Sequence, residues 1–296
     1  MSPGNGHPFS FSAIVNGFDP TRFAEAGWPV IHEYLGRQPP DAFGFEGVRV
    51  THAWTQDSEV TRRLCFACSI EHACLRLQDL VDSVDAVILA RDDWESHAEM
   101  ALLALDGGKP VFVDKPLTLD AGELRRLAPY LEQGRLMSTS GLRFARELEP
   151  LRQNGQSLGR MRLVEGVVLN DLAAYGVHLL DAVSGLGLGV PVGVRRIHTE
   201  HEAFLFELDS GVPFTLHCLG SVARTFRLHF FGDEGHAGFD LHDNFAAFRR
   251  TLAEFFTMCR SGRAPIAPAQ TIGIMKAIML ARHLAPGEAA RVDPHA

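Results

Sequence analysis

Lys115 and His178 are the two side chains best suited to moving a proton in this sequence. Lys115 stands in Gly108-Lys109-Pro110-Val111-Phe112-Val113-Asp114-Lys115-Pro116, which reads as a buried strand delivering an acid and a lysine to its carboxyl end. Open parallel sheets bind ligands beyond that end. Of the 28 Lys and Arg residues only three are Lys, at 109, 115 and 276. Arg holds its proton at accessible pH, whereas a buried Lys can be tuned to release it. Lys115 is therefore expected to be needed as lysine. Lys109, in a Gly-Gly-Lys turn, reads as solvated. His178 lies in Gly176-Val177-His178-Leu179-Leu180-Asp181, which puts Asp181 three residues on, on the same helix face. Asp181 either orients the imidazole or forms a helix-face salt bridge.

The elements that would position these groups fall into two patterns. The first half alternates strand and helix. Strands are expected at 11–15, 48–54, 86–90, 111–113 and 136–140. Helices are expected within 21–36, from Ser58 to 69, at 75–81, at 95–105 and from Asp120 to 131. Such alternation implies a parallel sheet covered by helices. The second half has a strand at 163–169, a helix at 172–183 carrying His178, then hairpin signals at Asp209-Ser210-Gly211 and Gly232-Asp233-Glu234-Gly235. These predict an antiparallel meander over 203–241, closed by helices at 244–260 and 271–284. The expected fold is α/β: a doubly wound parallel domain over 9–141, then an α+β domain with an open, mostly antiparallel sheet over 142–296.

Composition narrows the function. The net charge of −8 and the scattered Arg pairs argue against a nucleic-acid partner. No apolar run reaches the ~18 residues of a membrane span, and the start does not read as a signal peptide, so a cytoplasmic protein is expected. Cys65, Cys68, His72 and Cys74 could supply four metal ligands. Helical spacing instead turns Cys65 and Cys68 toward the sheet as small core residues. The histidines at 198, 201, 217, 229, 236 and 242 lack the spacing of a metal helix. No metal site is expected.

The ordered motifs resemble the glucose–fructose oxidoreductase, inositol dehydrogenase and MocA (Gfo/Idh/MocA) family. The helix from His97 leads through Gly108-Lys109 into Asp114-Lys115-Pro116, similar to the family's Glu-Lys-Pro. Gly176, His178 and Asp181 match Gly-x-His-x-x-Asp. The run from Asn244 through Phe255-Phe256 to Arg260-Ser261-Gly262-Arg263 is similar to the family's end. The resemblance covers most of the chain. It implies NAD or NADP on a Rossmann-type first domain and a small polar substrate, sugar-like or bearing a hydroxyl, carbonyl or imine. It implies Lys115 and His178 as an acid/base pair, with Asp181 and Tyr175 beside them. It implies a homodimer or tetramer joined through the C-terminal sheet.

Three departures set the alternatives. Aligning Ala13-Ile14-Val15 with the family's first strand puts Asn16, Phe18 and Thr21 where glycines approach the pyrophosphate, leaving only Gly17. On that alignment Asn16, Gly17 and Phe18 form the cofactor turn, joined by Arg91, Asp92, Trp94, His97 and Asp114 from the following loops. No acid directly ends the second strand. The position where the family often has Asp, four before His178, is Ala174, with Asp171 one turn earlier. The cofactor could thus have been lost. The chain would then be a redox-inactive member doing lyase, isomerase or hydrolase chemistry in the same cleft, or a non-catalytic binding subunit.

Overall fold

The computed structural model describes residues 5–293. These form two compact units. The first comprises residues 1–114, 129–137 and 248–265, and the second 115–128, 138–247 and 266–296.

Helix and strand alternate through the first part of the chain: α1 (His7–Asn16), α2 (Pro20–Ala24), α3 (Pro29–Gly36), β1 (His52–Ala53), α4 (Ser58–Ala67), β2 (His72–Ala73), α5 (Leu77–Ser83), β3 (Val87–Leu89), α6 (His97–Asp106), β4 (Val111–Val113), α7 (Ala121–Glu132) and β5 (Leu136–Ser138). β1 pairs with β2 and β3 with β4, both in parallel. The strands form two sheets, β1-β2 and β3-β4-β5. All three residues of β4 are buried, as expected of a strand covered on both faces. Phe112 lies between Phe11 and Phe255, with ring centroids 6.0 and 5.9 Å away.

The expected first strand over 11–15 is a helix. The stretch Phe9–Val15 is buried at every position, Ser10 and Ser12 included, and periodicity alone cannot assign such a stretch. Its punctuation decides. Pro8 opens the first turn, where its missing N–H costs nothing. Gly17 closes the helix at φ 76°, its N–H returned to the Ala13 carbonyl at 2.8 Å. The strand expected at 48–54 shrinks to His52–Ala53, and the helix expected over 21–36 divides around Gly27 and Pro29 into α2 and α3. Asp57 caps α4, accepting from Glu59 and Val60 N–H, in place of Ser58.

The rest of the chain supplies α8 (Glu149–Asn154), β6 (Met161–Val168), α9 (Val177–Gly185), β7 (Pro191–Arg196), β8 (Glu202–Leu208), β9 (Pro213–Cys218), β10 (Phe226–Gly232), β11 (His236–Asp240), α10 (Asn244–Ser261), α11 (Pro268–Ala281) and β12 (Ala289–Arg291). The second unit holds a seven-stranded sheet in the order β11-β10-β6-β9-β8-β7-β12. It is antiparallel except where β6 pairs with β9. The simple meander is therefore corrected: β6 enters between β9 and β10. Phe204, Phe206, Phe214 and Phe230 are fully buried and build the inner face. The sequence reading missed β7 and β12.

Candidate active site

The residues expected to transfer a proton come together within the second unit. Ahead of α9 the chain makes a wide π-helical turn, Leu172–Gly176, in which the Gly176 N–H reaches back to the Asp171 carbonyl at 3.2 Å. Such insertions occur often at functional sites. Asp171 caps the turn, accepting from the Ala174 N–H at 2.8 Å. The turn places the Ala174 carbonyl 2.9 Å from Lys115 Nζ, which donates to it. At Ala174, where the resemblance expects Asp, Lys115 meets the backbone carbonyl. Lys115 is 8% exposed, and its ammonium lies 5.4 Å from the centroid of the Tyr175 ring. Tyr175 packs edge-on against the His178 imidazole at 5.7 Å, and Phe226 closes on both rings at 5.8 and 5.3 Å. Lys115, Tyr175 and His178 share one aromatic-walled place.

Ser140 holds the imidazole, and the sequence reading missed it. Its Oγ lies 2.6 Å from His178 Nδ1 and accepts from the Leu142 N–H at 3.1 Å. Asp181 does not orient His178 directly. Its Oδ2 accepts from the Ser140 N–H at 2.7 Å, and its Oδ1 accepts from Arg143 Nη1 at 3.2 Å. Burial pushes the Asp181 carboxyl up, against the pull of the Arg143 guanidinium and the Ser140 amide. Asp181 is a positioning residue: it fixes the backbone that carries Ser140. A serine 38 residues from its histidine leaves no spacing signal. The pairing exists only because the turn that Ser140 caps packs against α9.

In the first unit, the residues expected around a cofactor divide. Asn16 faces away from the carboxyl ends of the strands. Its carboxamide exchanges hydrogen bonds with the Val50 backbone, at 2.8 and 2.9 Å, and donates to the Cys68 carbonyl. Phe18 packs against Phe23, His32 and Phe43. Asp19 caps α2. The turn Asn16-Gly17-Phe18 ends a helix and is not a strand-to-helix phosphate turn, because 11–15 is helical.

Arg91, His97 and Asp114 do gather at the carboxyl ends of β3 and β4. Asp114 pairs with His7, and its N–H donates to the Leu89 carbonyl at 2.9 Å. His97 is fully buried with Nε2 3.3 Å from the Arg91 carbonyl. Arg91 pairs with Asp93 through Nη2, while its buried Nε and Nη1 have no hydrogen-bond partner. Trp94 opens a short turn before α6, half-buried, and Asp92 is exposed.

The start of α1 completes this edge, and sequence reasoning missed that too. Asn5 Nδ2 donates to the Ala90 carbonyl at 2.9 Å, and its Oδ1 accepts from the His7 N–H at 2.8 Å. At Gly6 a Cβ would meet Ile31 Cδ1 at 2.3 Å and Trp28 Cε3 at 2.8 Å, so only glycine lets α1 begin there. The usable signal was Gly4-Asn5-Gly6 just before Pro8: glycines followed by a helix-starting proline. A buried group without a partner beside a helix N-terminus fits a phosphate, while Gly6 lets Trp28 and Ile31 pack on the start of α1.

Among the described residues no three His, Cys, Asp or Glu side chains group to hold a metal ion. Burial raises the thiols, Cys65 to about 11, which disfavours the thiolates a metal needs. The sheet histidines pair two by two, His201 with His217 and His229 with His236, each at 2.9 Å. No helix among the described residues is long and apolar enough to cross a membrane.

Residues 30–141 match the Gfo/Idh/MocA family model, an oxidoreductase family with an NAD-binding Rossmann fold. The match spans 112 of the 296 residues, so the likeness to that family is shown for this stretch of the chain. The match begins after α1, the stretch that departs from the expected first strand. Solved structures share the fold. Myo-inositol 2-dehydrogenase from Lactobacillus plantarum superimposes with a TM-score of 0.73 at 16% identity, over 84% of this chain and 93% of that one. Scyllo-inositol dehydrogenase from Lactobacillus casei, with bound NAD(H) and scyllo-inositol, gives 0.70 at 15% identity, over 84% and 92%. No curated protein matches the sequence.

Proposed function

We propose that this chain belongs to the Gfo/Idh/MocA family and is an NAD(P)-dependent oxidoreductase acting on a small polar substrate, a polyol or its keto form. The observation that carries this reading is the Lys115 ammonium held on the Ala174 carbonyl, against the same Tyr175 ring that His178 touches. NAD as cofactor is supported by the NAD-binding description of the matched family and by the relative crystallised with NAD(H) and scyllo-inositol.

A bound nicotinamide would supply hydride-transfer chemistry at the substrate carbon. The chain's own residues handle the proton. His178 Nε2 takes it from the substrate hydroxyl, in the tautomer whose Nδ1–H donates to Ser140 Oγ. Lys115 donates a hydrogen bond to the same oxygen and stabilises the alkoxide as it forms. Reduction runs these steps backwards. In the first unit the start of α1 and the two partnerless Arg91 groups would hold the pyrophosphate.

The test is titration of the protein with NADH and NADPH by fluorescence, followed by turnover of a panel of inositols and other polyols. Arg91→Ala is expected to weaken dinucleotide binding about tenfold or more, since hydrogen bonds to a charged group contribute ~1.5–3 kcal/mol. No binding at millimolar dinucleotide and no turnover would favour the non-redox reading.

A second expectation concerns assembly. The outward positions of β6, β9 and β10 include Met161, Leu163, Val167, His217, His229 and Phe231, all only partly covered. These mix with Glu165, Thr215 and Arg227, and a sheet face with this many apolar side chains is expected to be covered. A second copy is the proposed cover, giving a homodimer or tetramer through the large sheet. Light scattering should return a multiple of 32.5 kDa at micromolar concentration. A monomer would refute it.

A further inference from the structure

Between the two small sheets of the first unit lies a cavity of about 900 Å³. It is lined on one side by β1 with its flanks and on the other by β3 with its flanks. Phe11, Leu64, Leu80, Met100 and Phe255 make its walls largely apolar. Both strands are sheet edges. Their backbones alternate. Thr51 and Ala53 carbonyls accept from β2, at His72 and Cys74, so the peptide groups of His52 point the other way. The Val87 N–H and Leu89 carbonyl are bonded on the β4 side, so those of Ile88 likewise turn from β4.

The two edges run in the same direction. Asn5, just before α1, bonds to Ala90 beyond the carboxyl end of β3. Asn16, the last residue of α1, bonds to Val50 ahead of the amino end of β1. α1 therefore runs opposite to both strands. Two like-directed edges with inward donors and acceptors, facing one apolar slot, are complementary to a strand. Packed interiors do not keep voids of this size, and buried backbone groups do not stay unpaired.

We propose that this slot is a strand-acceptor site, taking an extended apolar peptide segment that pairs in parallel with β1 and β3 at once. The ten residues of α1 span about 15 Å, which an extended segment covers in roughly five residues. A parallel strand there ends beside Asn5. Its occupant is an uncharged, β-branched segment with a small residue at its carboxyl end, where Asn5 and Gly6 approach. The pairing rests on the edges of β1 and β3; its carboxyl end adjoins the start of α1, which the cofactor reading also uses, and the experiment below separates the two.

The experiment uses the whole chain and an acetylated, amidated peptide, Val-Ile-Val-Val-Gly, with a copy carrying Pro at the third position as control. Binding is followed by the fluorescence of Trp54, which lines the cavity, and by hydrogen exchange. Saturable binding is expected, slowing exchange of the His52 and Ile88 amides about tenfold, with no effect of the Pro peptide. Fusing the same segment ahead of Met1 through a Gly-Ser linker should raise Tm and give the same protection. Equal binding of the Pro peptide, or loss of α1 protection on binding, would overturn the proposal. So would an apolar dye that fills the cavity while neither the peptide nor the fusion protects those amides. Peptide binding without any NADH binding would refute the cofactor reading and leave this one standing.

Discussion

Replacing Lys115 with Ala is expected to lower kcat by about 10²–10⁴, the usual contribution of a positioned acid or base. His178→Ala should fall in the same range. Lys115→Arg should not restore activity. Arg carries the charge, but its planar fork does not fit the single Ala174 carbonyl at 2.9 Å, and it does not release a proton. Ser140→Ala is the informative contrast. Ser140 makes one hydrogen bond to His178, so its loss should cost about tenfold in kcat and shift the pH profile, with KM little changed. Steady-state kinetics on the four variants, each checked for native circular dichroism, decides the matter. A Lys115→Ala enzyme keeping more than about a tenth of the wild-type kcat would remove Lys115 from the mechanism.

Asp181→Ala should instead cost the fold. Asp181 and Arg143 are 6% and 8% exposed in their side chains. Removing the carboxylate strands a buried guanidinium and frees the Ser140 amide. Breaking a buried pair from one side costs ~3–5 kcal/mol. For a domain of this size that lowers Tm by on the order of 10 °C. The double variant Asp181→Leu with Arg143→Met removes both charges and should be more stable than Asp181→Ala alone. Thermal melts of both test this. A Tm within about 2 °C of wild type for Asp181→Ala would show that Arg143 finds sufficient compensation elsewhere, Gln270 being the candidate.

Much was legible in the residues themselves. The scarcity of lysine singled out Lys115, and the His178–Asp181 spacing placed both on one helix. The apolar run at β4 and the glycines between strands announced the two kinds of sheet. Local rules suffice for these because each is written within one turn or one strand. The same rules held the answer for α1, in Pro8 and Gly17, but a seven-residue stretch of small and apolar residues, Phe9–Val15, satisfies helix and strand alike.

Tertiary structure alone decided the rest. It set Ser140 under His178, gave Asp181 to Arg143 and the Ser140 amide, and made the Ala174 carbonyl Lys115's partner. It set Asn5 and His7 at the carboxyl ends of β3 and β4. It parted β1 from β3 and left a cavity between them. These pairings join residues 38 to 107 positions apart. A sequence specifies such contacts only through the packing of whole elements, where burial of many side chains fixes geometry that no local pattern encodes.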